Sequence, residues 1–246
     1  MADFILKQTA QTAGIPMQDA LIGIYAAYYI GSHDREVKDH LNYNFNLRAR
    51  NTFNMTGAMN AAFGQEDSPW VVLDHLSDAR RDSQNNGQEL SGAHFITLFH
   101  LASGQVMIAM PGLESDDGIG DIIDDFKQMA FGGMRGQSAA LYAYTKHIEE
   151  QIAAGAFKGA DGKALPITTK PVIGAHSMGC TAAQMMVLDG YDAVLLEPRP
   201  VHKGLLNRLT DNLARITGAA RMTHDAALER LDAATTNIRT SHSNLW

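Results

Sequence analysis

The sequence predicts an α/β domain with a mostly parallel sheet and helices on both faces, on three observations. From His94 onward, short apolar runs alternate with amphipathic helical stretches, the pattern of strands and helices packed in layers. One such run, Val172-Ile173, passes through a turn of small residues straight into a helix-compatible stretch, Thr181 to Leu188. The chain has 246 residues, of which 45% are hydrophobic and 19% charged, a balance that suits one large domain with a substantial core. We therefore expect a single domain over residues 1–246, with a helical and irregular part over 1–92 and the sheet and its helices over 93–246.

Taken in order, Met17 to Ile30 reads as a helix, because Met17, Leu21, Ile24 and Tyr28 recur at three- and four-residue steps and Pro16 sets the entry. Residues 31–92 are dominated by polar, Asn-rich pieces and a loop-like Asp82-Ser-Gln-Asn-Asn-Gly87, which fits short helices and an exposed loop. Phe95 to Leu101 and Gln105 to Met110 are strand-like, and Ala102-Ser-Gly104 between them predicts a hairpin connection. Ile119, Ile122, Ile123, Phe126 and Met129 share one helical face, with acids near its start. Phe131-Gly-Gly-Met-Arg-Gly136 reads as a break and a place where a lid could hinge. Leu141, Tyr144, Ile148 and Ile152 then mark a further helix.

Beyond a turn-rich connection over 155–170 come the strand at Val172, its helix, a stop at Gly190 and a buried strand over Ala193 to Leu196. Leu206, Leu209, Leu213 and Ile216 give a helix stopped by Gly218. Ala219 to Thr223 reads as a short strand, Ala226 to Ala234 as a helix and Asn237 to Ser241 as a last strand; one longer helix over 219–235 is the other local reading.

The turn between strand and helix is Ala175-His-Ser-Met-Gly179. A serine at the apex of a tight strand-to-helix turn, flanked by small residues, is the arrangement of a nucleophile elbow. Ala175 stands where glycine is usual and adds only a methyl group. A serine hydroxyl is a poor nucleophile near neutral pH and needs an imidazole, itself oriented by an acid. In this fold class both follow the serine along the chain. Downstream of Ser177 the histidines are His202, His224 and His242, and the acids at expected strand ends are Glu197 and Asp225. Asp225 and His242, after successive strands, are the pairing that fits best. Glu197 is the alternative acid, and His224 is the alternative base. His176 reads as packing or as a donor behind the site.

The order of these pieces resembles the class 3 lipases and their α/β-hydrolase relatives. Ile108-Ala-Met-Pro-Gly-Leu113 resembles the turn that holds the oxyanion in that family, and Asp121-Ile-Ile-Asp-Asp-Phe126 resembles its acidic helix. Ala175-His-Ser-Met-Gly179 resembles its elbow, and Leu196-Glu-Pro-Arg-Pro200 its Pro-Arg strand end. His242-Ser-Asn-Leu-Trp246 and Gln18-Asp-Ala-Leu21 resemble its closing and opening segments more loosely. The likeness is densest over residues 94–200. It implies a serine hydrolase acting on carboxylic esters, lipase- or phospholipase-like, with Ser177, His242 and Asp225 as triad and backbone N–H groups of Met178 and Leu113 as oxyanion donors. Leu113 stands where the family often has Thr or Ser, so a hydroxyl donor is missing there. Two further readings are a thioesterase or acyltransferase on the same fold, and a degenerate fold serving as a binding module.

Other functions find little support. The net charge is −7 (20 basic against 27 acidic residues), with no Lys/Arg cluster, so nucleic-acid binding lacks its electrostatic footprint. Neither the phosphate-loop spacing nor the dinucleotide glycine fingerprint is present; Ala164 stands where a phosphate loop needs a hydroxyl. The histidines outside the elbow show no metal-ligand spacing, and the acidic run from Glu114 to Asp125 lacks the alternation and glycine of a calcium loop. No cofactor and no metal are expected. The single cysteine, Cys180, rules out an intrachain disulfide. No secretory signal is readable, and the most apolar run, Ala20 to Ile30, falls short of the about 20 residues of a membrane span. The default expectation is cytoplasmic, with signal-less export as the other route. Several of the twelve methionines lie near the expected catalytic elements, where some can line an acyl-chain pocket and most fill core. The expected partner is a small-molecule or lipid ester, the latter implying peripheral contact with a lipid surface.

Overall fold

The computed structural model describes residues 4–6, 14–27, 70–77, 94–112, 133–159, 161–167, 169–198 and 200–240. They form an α/β fold built on a mixed seven-stranded sheet. The strands are β1 (Phe4–Leu6), β2 (Trp70–Ser77), β3 (His94–His100), β4 (Val106–Met110), β5 (Val172–His176), β6 (Ala193–Leu196) and β7 (Thr235–Thr240). The helices are α1 (Met17–Ala26), α2 (Gly133–Ala153), α3 (Gly179–Leu188), α4 (Lys203–Thr217) and α5 (His224–Ala234). The spatial order is β1-β7-β6-β5-β4-β3-β2. Strands β4 to β7 run parallel side by side, while β3 and β1 flank them antiparallel.

Period-2 alternation sorts the strand side chains onto two faces. Phe95, Ile108, Met110, Ile173, Ala175 and Leu195 face α2 to α5 in the larger core cluster. Ile96, Leu98, Met107, Ala109, Val172, Val194 and Ile238 face α1 in the smaller one. Two glycines let α1 sit close to the sheet. A Cβ on Gly174 of β5 would lie 2.8 Å from Met107 Sδ and 2.9 Å from Ile24 Cγ1, and one on Gly23 would lie 3.1 Å from Met107 Sδ. A side chain at Gly174 requires Met107 or Ile24 to shift, and one at Gly23 requires its neighbours to give by a few tenths of an ångström.

Most elements from β3 onward follow their expected bounds within two residues, and Gly190 and Gly218 take the positive φ expected at helix ends. Four expectations are corrected. Residues 4–6 and 70–77, expected within a helical and irregular part, form β1 and β2 of the sheet; in β2 a bulge between Val72 and Asp74 breaks the strict alternation that marks a strand. Gly133 and Gly136, read as a break, lie inside α2. Gly136 costs about 1 kcal/mol there relative to alanine, which the buried Leu141, Tyr144 and Ile148 further along the helix outweigh. Residues 219–223 are neither strand nor helix but an exposed connection ending at Thr223, whose hydroxyl accepts from Ala226 N–H and caps α5. The last strand begins at Thr235, directly after α5. The helix expected around Ile119 to Met129 lies outside the described residues.

Candidate functional site

The carboxyl ends of the parallel strands hold the site. β5 ends at His176, the backbone turns at Ser177, and α3 starts at Gly179. Ser177 has φ +50° and Glu197, one strand away, has φ +54°; they are the only non-glycine residues with positive φ among the described ones. Left-handed backbone costs a side-chain-bearing residue roughly 1–3 kcal/mol, so both must be held in place by their surroundings. Ser177 N–H donates to Leu196 O at 2.9 Å, and Glu197 N–H donates to Ile238 O at 2.8 Å. Each bond extends the sheet ladder one residue past a strand end before the chain turns away. The result is a matched pair of strained corners, Ser177 after β5 and Glu197 after β6, side by side on one edge.

Gly179 is fixed by the loop that follows β4. A Cβ there would lie 2.6 Å from Pro111 O and 3.1 Å from Met110 Cγ. The small-residue requirement of the turn is thus a contact requirement: the Pro111–Gly112 backbone sits directly against the start of α3. That contact brings the expected oxyanion turn to the elbow, although Leu113 itself lies outside the described residues. Met178 is the N-cap of α3. The first N–H groups of a helix have no intrahelical acceptor, and those of Met178 and Gly179 find none among the described residues. They form a short donor array beside the serine, suited to a developing negative charge.

The neighbours of the serine divide by face. His176 is half-buried and tilts against Tyr25 of α1, with ring centroids 5.9 Å apart. Burial pushes its pKa down from the usual histidine value, while the Glu197 charge works the other way. It therefore packs under the turn, as the sequence suggested. Cys180 is buried behind the elbow, its thiol donating to Ala175 O and Leu196 O at 3.4 Å each. Burial pushes that thiol's pKa up, so it is not a competing nucleophile.

The expected triad partners are placed unequally. Glu197 adjoins the elbow. Asp225 lies in the first turn of α5, its carboxylate fully exposed and 3.5 Å from Nδ1 of His224. This pair is held at a helix start, where the macrodipole favours the acid. The strand expected over 219–223 to carry Asp225 to the sheet edge is instead a mostly exposed connection. His202 caps α4 through Nδ1, which accepts from Leu205 N–H. His242 lies outside the described residues; β7, parallel to β6, delivers the chain to the elbow's edge at Thr240. The Ser177 hydroxyl has no hydrogen-bond partner among the described residues.

Sequence reasoning passed over two supporting positions. Gly174 is an isolated glycine in a strand, a recognised sign of close approach by another element, and it seats α1 behind the elbow strand. Tyr25 lies one residue beyond a predicted core position of α1 and carried no signal of its contact with His176. Comparisons of the chain with protein families, with curated proteins and with solved structures found no match in any of the three.

Proposed function

We propose that this chain is a serine hydrolase of α/β-hydrolase type acting on carboxylic esters, lipase- or phospholipase-like in substrate class. The observation that carries the proposal is Ser177 itself, a left-handed non-glycine residue between a buried parallel strand and a helix whose leading N–H groups are open. Ser177 attacks the ester carbonyl and the Met178 N–H holds the oxyanion, with the backbone after Gly112 as the second donor. His242 takes the serine proton and returns it to the leaving alcohol; water then hydrolyses the acyl-enzyme. Glu197 is better placed than Asp225 to orient the base, because it occupies the adjacent strained corner whereas Asp225 is fully exposed on α5. A lipid ester would bring this edge to a lipid surface.

A second reading is a degenerate fold used for binding, favoured by the full exposure of Asp225, the acid the sequence put in the triad, on α5. An alkyl fluorophosphonate followed by peptide mapping separates the two. Phosphonylation of the peptide holding Ser177, absent in Ser177→Ala, supports the hydrolase. A folded protein whose Ser177 peptide stays unmodified supports the binding module.

A further inference from the structure

At the opposite edge of the sheet, the β3–β4 hairpin holds a second serine in hydrogen-bonded contact with a histidine and an acid. His100 closes β3 and is 1% exposed. Its Nδ1 lies 2.8 Å from Ser103 Oγ, and its Nε2 lies 3.2 Å from Asp19 Oδ2 of α1. Trp70 of β2 packs edge-on to the ring at 4.8 Å, and its indole N–H donates to the Asp19 carbonyl at 3.0 Å. The contacts fit the tautomer protonated at Nε2. In it, Nε2 donates to the Asp19 carboxylate, and the single Nδ1 lone pair is shared between the Ser103 N–H at 3.2 Å and the Ser103 hydroxyl. The proton order is hydroxyl to imidazole to carboxylate, the order that activates a serine.

We propose that Ser103 is a second base-activated hydroxyl, open to covalent modification by strongly activated phosphonyl or acyl donors in preference to ordinary esters. In the modification step Ser103 Oγ forms a bond to phosphorus and the P–F bond breaks with loss of fluoride. The hydroxyl proton passes to His100 Nδ1, the imidazolium is held by Asp19, and the proton is then released to water. Ser103 is half-buried at the hairpin, flanked by the exposed Leu101 and Ala102, an apolar rim suited to an alkyl chain.

Three of the hairpin's N–H groups are already engaged: Gly104 N–H donates to His100 O at 2.9 Å, Gln105 N–H to Ser103 Oγ at 3.4 Å, and Ser103 N–H to the imidazole. These three are not free to hold an oxyanion, the contribution that dominates ester hydrolysis. A donor with a very good leaving group depends least on that contribution.

The test is alkyl fluorophosphonate labelling of Ser177→Ala, read by mass mapping of the peptide holding Ser103. That background removes the other proposed nucleophile, so the outcome does not depend on the elbow. Labelling at Ser103 is expected, slowed about a hundredfold in the same background by His100→Gln, the scale of general-base assistance. Because His100 is buried, Asp19→Asn provides a milder second variant, and circular dichroism confirms its fold; slowing of at least tenfold is expected. An unmodified Ser103 peptide in folded Ser177→Ala overturns the proposal, as does labelling that neither His100→Gln nor Asp19→Asn slows.

Discussion

Ser177 and Ser103 sit at opposite ends of one sheet, and their described surroundings differ in kind. At the carboxyl edge, Ser177 has a strained corner and open N–H donors at the head of α3, while its hydroxyl has no hydrogen-bond partner among the described residues. At the amino edge, Ser103 has an imidazole and a carboxylate in line, while the N–H groups of Ser103, Gly104 and Gln105 are engaged within the hairpin. Activating a nucleophile and stabilising the charge it generates are separate physical tasks. A parallel strand feeding a helix supplies the second task through unsatisfied helix N–H groups. A tight hairpin supplies it less readily, because closing the turn engages several of the same groups.

The comparison breaks or sharpens under substitution. The largest effect is expected from Ser177→Ala, which should lower kcat for ester hydrolysis on the order of 10⁶-fold, as loss of a triad serine does. Substantial residual turnover would move the chemistry elsewhere, Ser103 included. Glu197→Gln should lower kcat by up to ~10⁴-fold with little change in KM, the scale for an orienting acid, whereas Asp225→Asn should stay within about twofold, as expected for an exposed side chain. Parallel steady-state kinetics decide between the two acids, and the reverse ranking would restore Asp225.

Gly179→Ala forces a methyl group against Pro111 O, so thermal or denaturant unfolding should show a loss of about 1–3 kcal/mol. Activity should fall as well, because the loop after β4 is displaced. Glu197→Gly works the other way: it relieves a left-handed residue and should raise stability by about 1 kcal/mol while abolishing the acid's role. A more stable, less active variant is the signature of strain kept for function. The smallest effect concerns His176. Burial holds its folded pKa below the usual value near 6.5, so the unfolded chain takes up the proton first as pH falls. Its contribution is full above that value and declines as pH drops toward the folded pKa. His176→Gln should flatten this acid limb in unfolding measured from pH 7 to 5.

The sequence carried most of the carboxyl edge and little of the amino edge. β5, the turn and α3 were legible because the chemistry is local: an apolar run, small residues and a helix lie consecutive in the chain. Glu197 was identifiable as a strand-end acid, but its left-handed corner was not, since nothing in Leu196-Glu-Pro marks a positive φ. Asp225 was given a strand to stand on because Ala219 to Thr223 has an apolar start. Thr223 instead caps a helix, a three-residue signal that competed with the strand reading and won. The Asp19–His100–Ser103 contact spans 81 residues between Asp19 and His100 and leaves no periodic trace. β2 was hidden by its bulge.

The central claim is that Ser177 is a nucleophile that turns over, and acyl-enzyme formation tests it most directly. Rapid mixing with a p-nitrophenyl ester should release about one equivalent of nitrophenol in a burst. The acyl group should then be found on the Ser177 peptide and disappear as steady-state hydrolysis proceeds. A burst that persists in Ser177→Ala, or an acyl group found only on Ser103 that never leaves, would contradict it.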